Sequence, residues 1–193
     1  MNSRKRRGAV VGVMIILFAL SGCMSSNQRY LLTAPAVNGK HYSKQLPVIG
    51  VEEVSLPEYM KQGKVAIQLS PTRIHYSSSD EWMDNMESSL TKQLILAIQK
   101  SFNYPNVYAY PWDLSQQAGI KVKVSISRFI AYGEYVYLDA NWKIRDLRKG
   151  REYSRLFSTR VTCGKDTVSV VAAMNRAFGQ LTQHIADDIN QRF

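Results

Sequence analysis

The stretch IKVKVSISRFIAYGEYVYLDANWKI, Ile120 to Ile144, decides the fold class. Ile120, Val122, Val124 and Ile126 alternate strictly with Lys121, Lys123 and Ser125. Successive side chains of a strand point to opposite faces, so a period of two marks a strand covered on one side and wet on the other. A second run repeats the pattern. Val136, Leu138, Ala140, Trp142 and Ile144 make one face, and Tyr135, Tyr137, Asp139, Asn141, Lys143 and Arg145 make the other. Arg148-Lys149-Gly150 supplies a turn and Tyr153 to Val161 returns as a third strand, which completes a meander.

A one-sided apolar sheet needs a cover, and the flanking sequence provides two helical patterns. On the C-terminal side, Asp166 is a plausible N-cap for a helix with the stripe Val171, Met174, Phe178, Leu181, Ile185 and Ile189. On the N-terminal side, Asp84 to Phe102 carries the stripe Met86, Leu90, Leu94, Ala97 and Ile98, with Asp84 and Glu87 at capping-box spacing. Further strands are expected at Arg29 to Thr33, Val48 to Val54, Val65 to Leu69, Arg73 to Tyr76 and Asn106 to Tyr110, with a turn at Leu56 to Met60 closed by Gly63. Ser77-Ser78-Ser79 and Lys40 to Gln45 read as polar loops. The fold class is therefore α/β, a sheet with two long amphipathic helices packed on it in two or three layers.

The N-terminus has a different character. A basic segment ends at Arg7, an apolar run follows from Gly8 to Leu20, and Leu20-Ser21-Gly22-Cys23 closes it. The run is shorter than the roughly 20 residues that span a bilayer, and it has the flanks of a secretory signal. Small residues before a cysteine fit a bacterial lipobox, which implies thioether lipidation of Cys23, cleavage before it and acylation of the new N-terminus. The expected division is a signal peptide over 1–22, a lipidated tether over 23–28 and a periplasmic domain over 29–193. The tether reaches about 17–20 Å at full extension. Met24 rather than Asp after the cysteine points to the outer membrane.

Charge and composition narrow the function. The chain carries 25 Lys and Arg against 15 Asp and Glu. Removing Arg4, Lys5, Arg6 and Arg7 with the signal leaves 21 against 15, about +6, with no basic cluster of the kind a nucleic-acid stripe requires. No nucleic acid is expected as a partner.

Val51 to Trp82 resembles the ABC-type transport auxiliary lipoproteins of the PqiC (YmbA) type. The resemblance rests on the lipobox, on Tyr30-Leu31-Leu32, on the turn Leu56-Pro57-Glu58-Tyr59-Met60, on Trp82 before a helix, and on Asp139-Ala140-Asn141-Trp142 in a strand pair. It implies a mixed-sheet sandwich like that of anticodon-binding domains and a non-catalytic role. It also implies an MCE-domain partner of the PqiB kind, which carries lipid between the membranes and supports envelope integrity. A ring-shaped partner would favour several copies, a possible homo-oligomer.

Chemistry-bearing motifs are sparse, and neither a cofactor nor a metal is expected. His41, His75 and His184 stand outside metal-site spacings. His184 with Asp187 and Asp188 comes nearest to a ligand cluster, but reads as a solvated helix face. Cys163 reads as a small apolar filler. Glu52 and Glu53 point to opposite faces of a strand and do not converge. The aromatics carry more interest: Tyr132, Tyr135 and Tyr137 at one edge of the meander, Tyr104, Tyr108, Tyr110 and Trp112 around two prolines, and Tyr59, which reads as an exposed loop aromatic in its turn. Packing and partner contact both account for them. Leu56, Pro57, Tyr59, Tyr135 and Tyr137 are the expected partner-binding residues, and Cys23 the lipidation site. The expected function is that of an outer-membrane lipoprotein subunit tethering an MCE-type intermembrane lipid transport system; the alternative is an envelope scaffold for a cell-wall synthase or secretion machine.

Overall fold

In a computed structural model, which describes residues 27–33, 41–111 and 117–193, eight strands and two long helices follow one another along the chain. The strands are β1 (Gln28–Tyr30), β2 (Ile49–Val51), β3 (Lys64–Ser70), β4 (Arg73–Trp82), β5 (Val107–Ala109), β6 (Ile120–Tyr132), β7 (Tyr135–Asp146) and β8 (Glu152–Thr162). Helix α1 (Met86–Phe102) lies between β4 and β5, and α2 (Thr167–Arg192) ends the chain. The expected signal peptide over 1–22, Cys23 and Trp112 fall outside the described residues.

The alternation at Ile120 becomes the axis of a mixed sheet. One edge of β6 pairs antiparallel with β7 from Ile120↔Asp146 to Tyr132↔Tyr135, and Gly133, with φ 62°, takes the left-handed position of the tight turn between them. β8 pairs antiparallel with the far edge of β7. The other edge of β6 is shared by two short parallel strands: β2 takes its start at Ile49↔Ile120, and β3 takes its end at Ile67↔Ala131. β5 extends the sheet from β2, while β4 and then β1 extend it from β3.

Both helices lie on one face, so the domain has two layers. α2 packs over β7 and β8, α1 lies beside α2 towards β5, and a single apolar cluster joins helices and sheet. Every residue of the two stripes read from sequence is buried. At roughly 25 cal/mol per Å² of apolar surface, this burial is the main favourable term in folding. Among the described residues no helix is long and apolar enough to cross a membrane.

Several boundaries differ from expectation for identifiable reasons. The N-cap of α1 is Asn85 rather than Asp84: the Asn85 side chain accepts from the Ser88 amide at 2.9 Å, the third position of the helix. Asp166 caps α2 in the expected way, accepting from Ser169 N at 2.9 Å. Ser77 to Ser79 are not a loop but part of β4, where a register shift opposite β3 leaves extra residues. Ser77 Oγ accepts from the amides of Ser79 and Asp80 there, satisfying donors that the irregular ladder abandons. β1 ends at Tyr30 because Leu32, 1% exposed, turns into the core. The turn after Leu56 is a short 3-10 helix, Glu58–Met60, with Leu56 and Met60 both buried.

Candidate functional site

The face of the sheet opposite the helices has no cover among the described residues. On β7 it presents Tyr135, Tyr137, Asp139, Asn141, Lys143 and Arg145, and the register sets a partner on β6 beside each. Near the β6–β7 turn these neighbours are aromatic and apolar. Tyr132 lies opposite Tyr135, and Ile130, buried although it lies outside the main core cluster, lies opposite Tyr137. The rings of Tyr135 and Tyr137 meet edge to face at 6.2 Å. The guanidinium of Arg128 lies 4.1 Å from the Tyr137 ring centre and that of Arg160 5.1 Å from the Tyr135 ring centre, so each ring carries a cation on its face. Arg128 is further held by Gln68 Oε1 at 3.2 Å.

Towards the other end of the same face the chemistry changes. Lys123 lies directly opposite Lys143, and Lys121 directly opposite Arg145. Like charges across a strand pair disfavour folding, and two consecutive pairs are retained here. Glu52 offsets part of this, bridging Lys121 and, at 3.5 Å, Lys123, while Lys143 meets Glu152 at 3.2 Å. Burial by itself would raise the Glu52 carboxyl; the two ammonium groups outweigh it and hold the carboxyl below its usual value. The face as a whole is thus aromatic with capping arginines at one end and cationic at the other. It is suited to a partner surface with exposed apolar groups and acidic side chains.

The residues expected to bind a partner divide. Tyr135 and Tyr137 lie together on the open face. Leu56 is in the core, and Tyr59 is half-buried against it rather than the exposed loop aromatic the sequence suggested. The Tyr59 hydroxyl accepts from the amide of Phe129 at 2.8 Å. This contact has a structural reason: β6 leaves a gap between the bridge Ser55↔Ser125 and the pairing Ile67↔Ala131, and the phenol fills it. Burial pushes that phenol up from its ordinary value. Pro57, half-exposed, precedes the 3-10 turn.

Asp188 overturns the solvated-face reading of the last helix. It is 1% exposed, accepting from Trp142 Nε1 at 3.0 Å with one oxygen and from Arg155 at 3.0 Å with the other. A buried carboxylate requires such partners, and here they clamp α2 onto β7 and β8. His184 packs its ring 5.2 Å from Phe157. Asp187 accepts from the Tyr42 hydroxyl, whose pKa burial and this carboxylate together push up to about 12. Cys163 is a half-buried thiol against the core, pushed up by burial, which disfavours a thiolate. Among the described residues no group of three or more His, Cys, Asp and Glu is placed to hold a metal.

Sequence reasoning missed Arg128, Arg160 and the facing lysines as parts of one surface. The polar positions of each strand were visible, but their register across strands was not.

Comparison with known proteins agrees with this architecture. The crystal structure of protein XCC0632 from Xanthomonas campestris is similar over 82% of this chain and 92% of its own, with 17% identity and a TM-score of 0.70. That of an uncharacterized protein is similar over 85% of this chain and 99% of its own, with 18% identity and a TM-score of 0.69. Both likenesses speak to the fold. No curated protein sequence matches the chain. The family model of the ABC-type transport auxiliary lipoprotein component matches residues 30–186, and the chain belongs to that family.

Proposed function

We propose that this lipoprotein is the outer-membrane subunit of an MCE-type intermembrane lipid transport system, tethering a periplasm-spanning MCE-domain partner and so supporting envelope integrity. Lipid on Cys23 fixes one end, and the open sheet face grips the partner. A transport-auxiliary family implies a transporter to assist, and the observation that carries the reading is the uncovered face itself. Two like-charge cross-strand pairs and an arginine-capped tyrosine pair weaken or do little for folding, and an apolar and acidic partner surface gives them a purpose. A periplasmic ring would hold several copies of the chain.

The proposed role includes no catalytic step. The engagement of Asp188 by Trp142 and Arg155 supports this reading.

Photo-cross-linking from position 137 of the full chain in intact envelopes, read by mass spectrometry, tests the proposal. Recovery of an MCE-domain protein, lost in Cys23→Ala, is the expected result. Recovery of cell-wall synthases or secretion components alone overturns it in favour of a scaffold role.

A further inference from the structure

The hairpin of β3 and β4 exposes apolar side chains at its tip. Leu69, at the register shift beside Ser70, is 51% exposed, and Ile74 and Tyr76, on the face opposite the helices, are each 37% exposed. Pro71 and Arg73 between them are exposed as well, and the segment Leu69 to Tyr76 carries no acidic residue. An apolar medium at the tip would cover all three side chains.

The route of the chain says what that medium is. β1 runs parallel to β4 with Gln28 beside Asp80, so the start of β1 faces the tip of the hairpin. From Asp80 back to Arg73 the hairpin projects about 17–23 Å past the start of β1, taking about 3.3 Å per residue and allowing for the bulge. Cys23 is five residues before Gln28, a span of about 17–20 Å at most when fully extended. The projection of the hairpin is therefore comparable with the full reach of such a tether.

We propose that the β3–β4 tip is a membrane-contacting finger that enters the headgroup region of the phospholipid surface to which Cys23 is anchored. Leu69, Ile74 and Tyr76 take the apolar boundary, and Arg73 reaches the phosphates. This rests on the lipid-anchor reading of Cys23. The finger orients the domain upright, with the cationic end of the open face pointing away from the membrane.

The test uses the full-length lipidated protein in vesicles of phosphatidylethanolamine and phosphatidylglycerol, with Cys163→Ala and one environment-sensitive fluorophore on Thr72→Cys or, in a second sample, on Leu147→Cys in the β7–β8 turn. Doxyl-labelled lipids should quench position 72 at least twofold more than position 147. Adding Leu69→Asp and Ile74→Asp should halve the quenching at position 72, with the circular dichroism spectrum unchanged. Equal quenching at both positions overturns the finger, and so does quenching that survives the double substitution, because the tether alone then explains proximity. Capture of a protein by the tip in envelopes, with no quenching in vesicles, overturns it in favour of a protein partner. Failure of the protein to float with vesicles overturns the anchor reading, and the finger falls with it.

Discussion

The two faces of β7 share one backbone and differ in almost everything else. Val136, Leu138, Trp142 and Ile144 are 0% exposed beneath α2, whereas Tyr135, Tyr137, Lys143 and Arg145, one residue along, meet no covering element among the described residues. The covered face buries charge at Asp188, which enters with two side-chain partners, and at Asp146, whose carboxylate accepts from the Arg148 and Lys149 amides of the β7–β8 turn. The open face keeps like charges side by side and cations over tyrosines. Stability is thus concentrated on one side of the sheet. The other side is free to carry chemistry that folding does not require.

The sharpest challenge to that division is Trp142→Ala. It empties the largest fully buried side chain and removes the indole donor from Asp188. A loss of about 3–5 kcal/mol in urea denaturation is expected, and a loss below about 1 kcal/mol would show that the covered face is not where stability lies. Tyr59→Phe comes next, because it leaves the Phe129 amide without its acceptor in the gap along β6. The expected cost is about 1–3 kcal/mol, and a neutral result would return Tyr59 to the set of free contact residues.

A narrower effect is expected in alkali. The phenol of Tyr42 ordinarily titrates at 10.0 and is held at about 12 in the fold. A raised value favours the neutral form in the native state, so its stabilising contribution is whole below pH 10 and is lost as pH rises towards 12. The stability gap between the native chain and Tyr42→Phe should narrow over that window, and a constant gap would remove Tyr42 from the linkage. The smallest change in stability belongs to the open face. Tyr137→Ser should cost less than about 1 kcal/mol, the scale of an exposed cation–π contact, while partner recovery by affinity capture from envelopes falls severalfold. A large drop in melting temperature would move Tyr137 into the structural class.

Much of the candidate site was legible as strands and little of it as a surface. Tyr135 and Tyr137 followed from alternation alone, as did the face they share with Lys143 and Arg145. That Lys123 faces Lys143, or that Arg160 reaches Tyr135, depends on register across strands joined by turns, and a period of two does not state it. Tyr59 looked like an exposed loop aromatic because its hydrogen-bond partner, Phe129, is 70 positions away. Asp188 looked solvated for a similar reason: a helix face rich in polar residues conceals which of them meets an indole and a guanidinium from the sheet.

Local physics made the rest readable from sequence. Period-two and helical spacing register the side on which water is excluded, so the strands of the meander, both helices and their buried stripes were present in the order of residues. The caps and turns depend on one or two side chains, which left α1 displaced by a residue. Only the tertiary structure decided that both helices take the same face, that β2 and β3 share one edge of β6, and that the start of β1 faces the tip of the β3–β4 hairpin. These are relations between distant segments, settled by the packing of whole surfaces, and no short window of sequence contains them.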